Sequence, residues 1–293
     1  MRPRIVFFGT PQLGVQVLEK LIAKGFKPIV VVTREDKPVG RGQKTTPPPV
    51  KTVAQKHKIP IFQPKKLKEN QEIARELKSF LPNLFIVAAY GRIIPREILE
   101  IPKYGTLNVH PSLLPKYRGA SPIQSAILAE EKETGVTIIL LDEEMDHGPI
   151  IAQEKIDLNV TETAEDLKKK LGDSGAELLI RTIPAWIEGK IKPKEQNHKK
   201  ATFTKVFTKE DGYIDLSNPP SPEKFNLMVR AFYPWPGTWT KWQNKIIKFM
   251  PGNLIQPEGK KPITVKEFLN GYPEARHVIP MFTGSTNGRK FKH

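Results

Sequence analysis

The chain has 293 residues, which at about 150 residues per domain indicates two domains or one large one. Lysine and arginine number 47 against 31 aspartates and glutamates, so the net charge is +16 and a polyanion such as nucleic acid is an expected partner. The absence of cysteine excludes a disulfide framework, a thiolate metal site and a cysteine nucleophile. Apolar runs are too short for a membrane span or a signal peptide, so we expect a cytoplasmic protein without membrane association.

The first half alternates short apolar runs with amphipathic segments. Residues 5–8 predict a buried strand, 15–22 a helix and 29–32 a second strand. Strand, helix and strand within about thirty residues form a βαβ unit, which implies a parallel sheet and an α/β fold. The same rhythm predicts helices at 50–58, 70–80, 122–129 and 164–187, and strands at 59–62, 84–89, 106–110 and 136–141.

Residues 33–49 interrupt this rhythm. They contain four cations, Arg34, Lys37, Arg41 and Lys44, together with several prolines and glycines. No periodicity is present, so the pattern predicts an exposed basic loop, longer than most connections in compact domains.

The composition shifts again after residue 188. The lysine-rich stretch 189–205 has few apolar residues, which is typical of an extended linker. Beyond it, short strand-like runs and Pro- and Gly-rich turns predict a small β-rich domain. We therefore divide the chain into a catalytic domain at 1–188, a basic linker at 189–205 and a C-terminal domain with a basic tail at 206–293.

Asn108 and His110 form the first chemical constellation. On a strand over 106–110 they point the same way, about 6.6 Å apart, at an edge where α/β sheets bind ligands. They combine an amide donor with a titratable imidazole. The alternative is that Asn108 caps a turn and His110 packs at a strand end.

An acidic turn, residues 142–149, follows the next predicted strand, so we expect its acids at the same sheet edge. An aspartate of this turn could orient His110 there and favour its imidazolium form. A metal held by His110, His147 and these carboxylates is disfavoured, because no ligand pair has helical spacing. The alternative is an acidic surface turn.

Two further motifs are ambiguous. The turn at 9–14 lacks the third glycine of a dinucleotide fingerprint and the lysine of a P-loop, so Gly9 is expected only to let a strand turn into a helix. Lys116, Tyr117 and Arg118 could meet a phosphate or a carboxylate, or belong to a solvated loop.

The run SLLPKYRGASPI at 112–123, with Asn108, His110 and Asp146 around it, resembles the signature of folate-dependent formyltransferases. Further motifs are similar to the branch of this family that formylates methionyl-tRNA, and together they extend to about residue 271. These motifs are FGTP (8–11), DKPVGRG (36–42), VAAYG (87–91), KEDGYID (209–215), RAFYPWPG (230–237) and QPEGKKP (256–262).

The resemblance implies transfer of a formyl group from 10-formyltetrahydrofolate to the α-amine of methionyl-initiator tRNA, without a metal and by a monomer. It implies Asn108, His110 and Asp146 as catalytic residues, and the basic loop with Arg34, Lys37, Arg41 and Lys44 as a tRNA contact. The residues implied for the folate pocket are Val87, Tyr90, Gly91, Ile93, Ser112, Leu113, Leu114 and Pro115, and the turn before Asp146 is implied as a further wall.

The implied fold is a Rossmann-like parallel-sheet domain followed by an OB-like C-terminal domain. Only residues 238–255 separate two of the family motifs here, which leaves room for two strands and predicts an abbreviated barrel. Two other functions stay open: a formyltransferase for a sugar-nucleotide amine or glycinamide ribonucleotide, and a tRNA-binding module without catalysis.

Overall fold

The computed structural model describes residues 2–39, 43–68 and 70–277, and this part of the chain divides into two compact units. The first comprises the residues up to 122 together with 133–157 and 168–204; the second comprises 123–132, 158–167 and the described residues from 205. The domain boundaries predicted at 188 and 205 stay a prediction. No described helix combines the length and the apolarity that crossing a bilayer requires.

The helices and strands are numbered in chain order. The strands are β1 Ile5–Gly9, β2 Val30–Val32, β3 Lys37–Val39, β4 Lys44–Thr46, β5 Ile61–Phe62, β6 Leu84–Ala88, β7 Thr106–His110, β8 Arg118–Gly119, β9 Glu133–Leu140, β10 Ile150–Asp157, β11 Phe203–Thr204, β12 Thr238–Trp242, β13 Lys245–Met250, β14 Leu254–Pro257 and β15 Ile263–Thr264. The helices are α1 Gln12–Ala23, α2 Pro49–Lys56, α3 Gln71–Ser79, α4 Arg96–Leu99, α5 Pro122–Leu128, α6 Ala164–Ile187, α7 Pro222–Ala231 and α8 Val265–Gly271.

A seven-stranded sheet forms the centre of the first unit, in the order β10-β9-β7-β6-β1-β2-β5. The strands from β7 to β5 in this order are parallel to one another, whereas β9 is antiparallel to β7 and β10 is antiparallel to β9. Strands β1, β6 and β7 are buried along their whole length, as expected for central strands covered on both faces. The predicted α/β class with a parallel-dominated sheet is confirmed.

Two parts of this unit differ from the sequence prediction. The stretch predicted as an irregular basic loop contains a hairpin, in which Lys37 pairs with Thr46 and Val39 with Lys44. Strand β10 was not predicted, because its alternation of half-buried and exposed residues carries many polar side chains and resembles a surface loop.

The second unit contains a four-stranded antiparallel sheet in the order β12-β13-β14-β15. Phe225 of α7 packs edge-to-face against Phe249 of β13, and Phe268 of α8 is fully buried in the same core. The β-rich C-terminal domain is therefore confirmed. Residues 238–255 hold β12, β13 and the first residues of β14, slightly more than the two strands expected.

Candidate active site

Asn108 and His110 lie on β7, in the interior of the sheet, and the alternation of the strand places both side chains on one face. Their exposed fractions are 8% and 4%. A strand buried on both sides normally carries apolar side chains, and buried polar groups must find hydrogen-bond partners. Two polar side chains on one face of such a strand therefore indicate a specific polar environment.

Asp146 supplies that environment from the turn between β9 and β10. Its carboxylate Oδ1 lies 3.4 Å from His110 Nδ1 and 3.5 Å from Asn108 Nδ2. The other oxygen, Oδ2, accepts a 2.8 Å hydrogen bond from the backbone N–H of Gly119. The structure thus brings the three predicted catalytic residues together in one cluster.

The path of the chain from β9 to Asp146 differs from the one that the sequence predicts. Because β9 is antiparallel to β7, Leu140 pairs with Leu107, and β9 ends at the edge where β7 begins. The turn must therefore run back along the sheet face to bring Asp146 to His110. Asp146 adopts a left-handed backbone (φ 48°), and a Cβ on Gly148 would lie 1.9 Å from the Leu140 carbonyl oxygen. Only glycine fits at position 148.

The tautomer of His110 follows from its second partner. Its Nε2 lies 3.0 Å from the backbone carbonyl of Tyr117, which can only accept. Nε2 therefore carries a hydrogen, and Nδ1 is the nitrogen that faces Asp146. The Asn108 amide has two hydrogens, of which at most one points at Asp146, so the other is available to a ligand.

Sequence reasoning missed the groups that surround this cluster. The sequence leaves Arg118 either to meet a phosphate or a carboxylate or to lie in a solvated loop, and the structure buries it, at only 3% exposed. Gln196, in the stretch predicted as a linker, is 5% exposed, and its amide hydrogen-bonds to the backbone carbonyls of Asp146 and Gly148. The available signal was an uncharged polar residue inside a run of lysines, which does not identify a buried contact by itself.

The residues predicted to form the folate pocket lie in two segments, 87–93 and 112–115, and the first has both exposed and buried members. Ile93 is 81% exposed, and Gly91 has a left-handed backbone (φ 74°) beside it. Val87 and Tyr90 are buried; Tyr90 packs edge-to-face on Phe8, and this burial raises the pKa of its phenol.

The second segment, residues 112–115, is held in place by hydrogen bonds inside the protein. Ser112 is fully buried, and its hydroxyl donates to the carbonyl of Lys116 over 2.7 Å. The N–H of Leu114 donates to the hydroxyl of Thr137, while Leu113 and Pro115 are half-buried. Ser112 and Leu114 therefore shape the segment rather than present side chains to solvent.

A cavity of about 750 Å³ lies between the start of β7 and the turn after β9. It contains none of the eight predicted folate residues. Its lining combines apolar groups with charged ones and includes Leu99, Tyr104, Thr106, Leu141, Asp142, Glu143, Trp186 and Arg96. The volume falls within the usual range for small-molecule sites, about 300–1,000 Å³. Its lining reaches the same turn that carries Asp146.

The predicted tRNA-binding residues lie on or beside the β3–β4 hairpin. Lys37 and Lys44 are exposed on its two strands, whereas Arg34 is half-buried beside Gly91. Arg41 lies outside the described residues. Asp36, next to Lys37, is bound by Gln63 and Lys51, whose hydrogen bonds hold its pKa below the usual range. The hairpin thus has a fixed base and exposed cations.

The described residues contain no cluster of three or more His, Asp or Glu side chains arranged to hold a metal ion. The cluster itself offers hydrogen-bond donors, from Asn108 and His110, and a carboxylate that can take up a proton, from Asp146.

Comparison with known proteins decides the family. Residues 3–183 match the formyl transferase family, and residues 207–254 match the formyl transferase C-terminal domain. The methionyl-tRNA formyltransferase of Chloroflexus aurantiacus is 44% identical over 256 residues, which cover 87% of this chain and 82% of the relative. That of Thermodesulfovibrio yellowstonii is 42% identical over 301 residues, covering 92% and 96%. The chain belongs to the methionyl-tRNA formyltransferase family.

Solved structures extend the family resemblance to the fold. An N-formyltransferase from Helicobacter canadensis, in complex with folinic acid and dTDP-3-aminofucose, matches with a TM-score of 0.59 and 22% identity, over 86% of this chain and 94% of that one. HypX from Aquifex aeolicus, in complex with tetrahydrofolic acid, matches with a TM-score of 0.64 and 16% identity, over 92% and 47%. At these identities the likeness shows a shared fold.

Proposed function

We propose that this chain is a methionyl-tRNA formyltransferase. It moves the formyl group of 10-formyltetrahydrofolate onto the α-amino group of methionyl-initiator tRNA, and so supplies formylmethionyl-tRNA for translation initiation. The observation that carries the proposal is the meeting of Asn108, His110 and Asp146 in a chain more than 40% identical to such enzymes over most of its length.

Each of the three side chains has its own role in formyl transfer. Attack of the amine on the formyl carbon forms a new C–N bond and turns the carbonyl oxygen into an oxyanion. Asn108 donates from Nδ2 to stabilise this oxygen. His110 donates from Nδ1 in its imidazolium form, because its Nε2–H is held by the Tyr117 carbonyl. Asp146 takes up the proton that the amine loses, directly or through water, and the old C–N bond breaks as nitrogen N10 of the folate is protonated.

The donor site that we propose combines exposed and buried residues. Ile93 and Gly91 contact the folate directly, whereas Val87, Tyr90 and residues 112–115 hold the surrounding loops in place. The cavity beside residues 141–144 is large enough for the bicyclic ring, and its lining residues extend the predicted set. The ring would then lie next to the turn that carries Asp146.

The acceptor side requires a surface for an RNA backbone. The chain carries an excess of sixteen positive charges, and Lys37 and Lys44 are exposed on the hairpin. We propose that these lysines, with Arg34 and Arg41, contact phosphates near the acceptor end. We also propose that the protein is a monomer and acts in the cytoplasm, where charged initiator tRNA is available.

The deciding experiment measures formylation by purified protein with 10-formyltetrahydrofolate and charged initiator tRNA. Formation of formylmethionyl-tRNA, with little formylation of charged elongator tRNA, supports the proposal. Because some structural neighbours are sugar N-formyltransferases, an amino-sugar nucleotide is tested in parallel. Formylation of that amine in place of the tRNA would overturn the proposal, and so would tRNA binding without consumption of the donor.

A further inference from the structure

The segment 194–204 carries the groups that fix the Asp146 turn in place. It begins with an antiparallel bridge, in which the N–H groups of Ile150 and Lys194 each donate to the other's carbonyl over 2.8 Å. It ends with β11, which pairs in parallel with β8, so that Phe203 lies opposite Arg118 and Thr204 opposite Gly119. The segment is therefore bound to the chain on both sides of the cluster.

Gln196 lies within this segment, and its amide nitrogen and amide oxygen both hydrogen-bond inside the protein. Its Nε2 donates to the backbone carbonyls of Asp146 at 2.9 Å and Gly148 at 2.7 Å. Its Oε1 accepts from Arg118 Nη2 at 2.8 Å. Two carbonyls on one side and a guanidinium on the other fix the amide orientation. In the flipped amide the oxygen would face the two carbonyl oxygens, and the NH2 group would face the guanidinium.

Arg118 connects this amide to the rest of the site. The Nη2 that donates to Gln196 also lies 2.9 Å from Nδ1 of His198, and the His198 ring stacks on His147 with centroids 4.1 Å apart. The residue after Arg118, Gly119, donates its N–H to the Asp146 carboxylate. These contacts, centred on the buried Arg118 and Gln196, therefore hold Asp146 by its backbone carbonyl and by its side chain.

We propose that Gln196 is a positioning residue that aims the Asp146 carboxylate at His110 and Asn108. The inference rests on the proposed function, because it concerns the same reaction. The left-handed backbone at Asp146 costs free energy and persists only where surrounding contacts impose it. Gln196 provides two such contacts, on either side of His147. Without them the turn relaxes, and the carboxylate moves away from its two partners.

Two substitutions separate positioning from simple packing. Gln196→Met keeps the length of the side chain but removes every hydrogen bond. Gln196→Glu keeps an acceptor for Arg118 and replaces the donor by an oxygen that faces two carbonyls. We expect kcat to fall by about 10- to 100-fold in both, since displacements of about 1 Å at a reacting centre have effects of this size. The KM for tRNA and the KM for the folate donor should change little. The matched control is Glu195→Gln, an exposed neighbour on the same segment.

A double-mutant cycle tests whether Gln196 acts through Asp146. In an Asp146→Asn background, Gln196→Met should cause little further loss of kcat, because the group that it positions is already gone. An equal loss in both backgrounds, or a Gln196→Met protein with wild-type kcat, would overturn the inference.

A readout independent of activity keeps this inference distinct from the proposed function. The ring-nitrogen NMR resonances of His110 should shift in Gln196→Met and stay unchanged in Glu195→Gln, because only the first variant moves the carboxylate that faces the ring. Unchanged His110 resonances in a folded Gln196→Met protein would overturn the positioning role. A wild-type protein that does not formylate methionyl-tRNA would overturn only the proposed function. Thermal unfolding establishes that each variant is folded.

Discussion

His110 Nδ1 lies 3.4 Å from Asp146 Oδ1, although the strand before Asp146 ends at the opposite edge of the sheet from His110. A returning turn, and not the end of a strand, therefore brings the carboxylate to the imidazole. The precision of the site depends on the contacts that fix this turn as well as on the rigid strand below it.

The two donors on β7 are expected to dominate turnover. His110→Ala and Asn108→Ala should each lower kcat by about 10²- to 10³-fold, the effect typical of removing one oxyanion donor. Both variants should stay folded, because the rest of the buried strand is unchanged. His57→Ala, a half-buried histidine after α2, is the control and should retain activity. Near wild-type kcat in a folded His110→Ala or Asn108→Ala protein would contradict the assignment.

The returning turn gives a second prediction at Gly148. In Gly148→Ala the new Cβ would lie 1.9 Å from the carbonyl oxygen of Leu140 and 3.0 Å from its carbon, and neither backbone atom can rotate away. We expect a loss of stability of about 1–3 kcal/mol and a fall in kcat, because Asp146 must move with the turn. Gly271→Ala, where nothing lies within 4 Å of the added carbon, is the matched control. Equal melting temperatures and rates for both variants would contradict this account of the turn.

Much of the central sheet could be predicted from the sequence, because its signal is local. Strand β7 was predicted with the correct ends, since its apolar and polar residues alternate and a proline follows it. Helix α6 was also predicted with the correct ends from its repeating leucines. The contact of His110 with Asp146 was predicted from family motifs. The path of the chain to Asp146 was wrong, because the preceding strand ends at the opposite edge of the sheet.

The remaining features depend on contacts between distant residues. The antiparallel direction of β9 is set by pairing with β7, and nothing in its own composition reveals it. The lysine-rich stretch around Gln196 has the composition of a solvated linker, yet its main chain pairs with Ile150 and buries the glutamine. Only the assembled fold shows such a contact.

The hairpin lysines should contribute to tRNA affinity more than to chemistry. Lys37→Ala combined with Lys44→Ala should raise the KM for tRNA while kcat at saturating tRNA changes little. It should also reduce the salt slope of log(kcat/KM) by about one for each lost phosphate contact. Lys78→Ala, an exposed lysine on α3, is the control. An unchanged tRNA dependence in the double variant would remove the hairpin from the contact surface.

Arg41 is predicted from the sequence alone to act in the same way. Arg41→Ala should raise the KM for tRNA more than it lowers kcat, since a guanidinium can bind a phosphate with two hydrogen bonds. The measurement is a tRNA titration at fixed donor concentration. A fall in kcat with unchanged KM would instead place Arg41 at the reacting group.

The stability of the second unit should depend on Asp166 at acid pH. Its carboxylate accepts from the hydroxyl of Thr163 at 2.6 Å and from the N–H of Thr163 at 3.1 Å, and these bonds, the hydroxyl first, hold the pKa of Asp166 below its usual value. A lowered folded-state pKa stabilises the folded protein fully above the unfolded value of about 3.9, and this stabilisation is lost as the pH falls through the folded value. Asp166→Asn should therefore be less stable than wild type at neutral pH.

The same variant should lose less stability on acidification, so that the two proteins converge as the pH falls below about 4, through the lowered pKa of Asp166. Urea unfolding at several pH values measures this convergence. Glu165→Gln is the matched control, because it makes the same chemical change at the neighbouring exposed position and should follow the wild-type curve. Parallel curves for wild type and Asp166→Asn across this range would show that the Thr163 hydrogen bonds do not stabilise the ionised carboxyl. The start of α6 would then depend on its other contacts, such as the hydrogen bond from the N–H of Asp166 to the Thr163 hydroxyl.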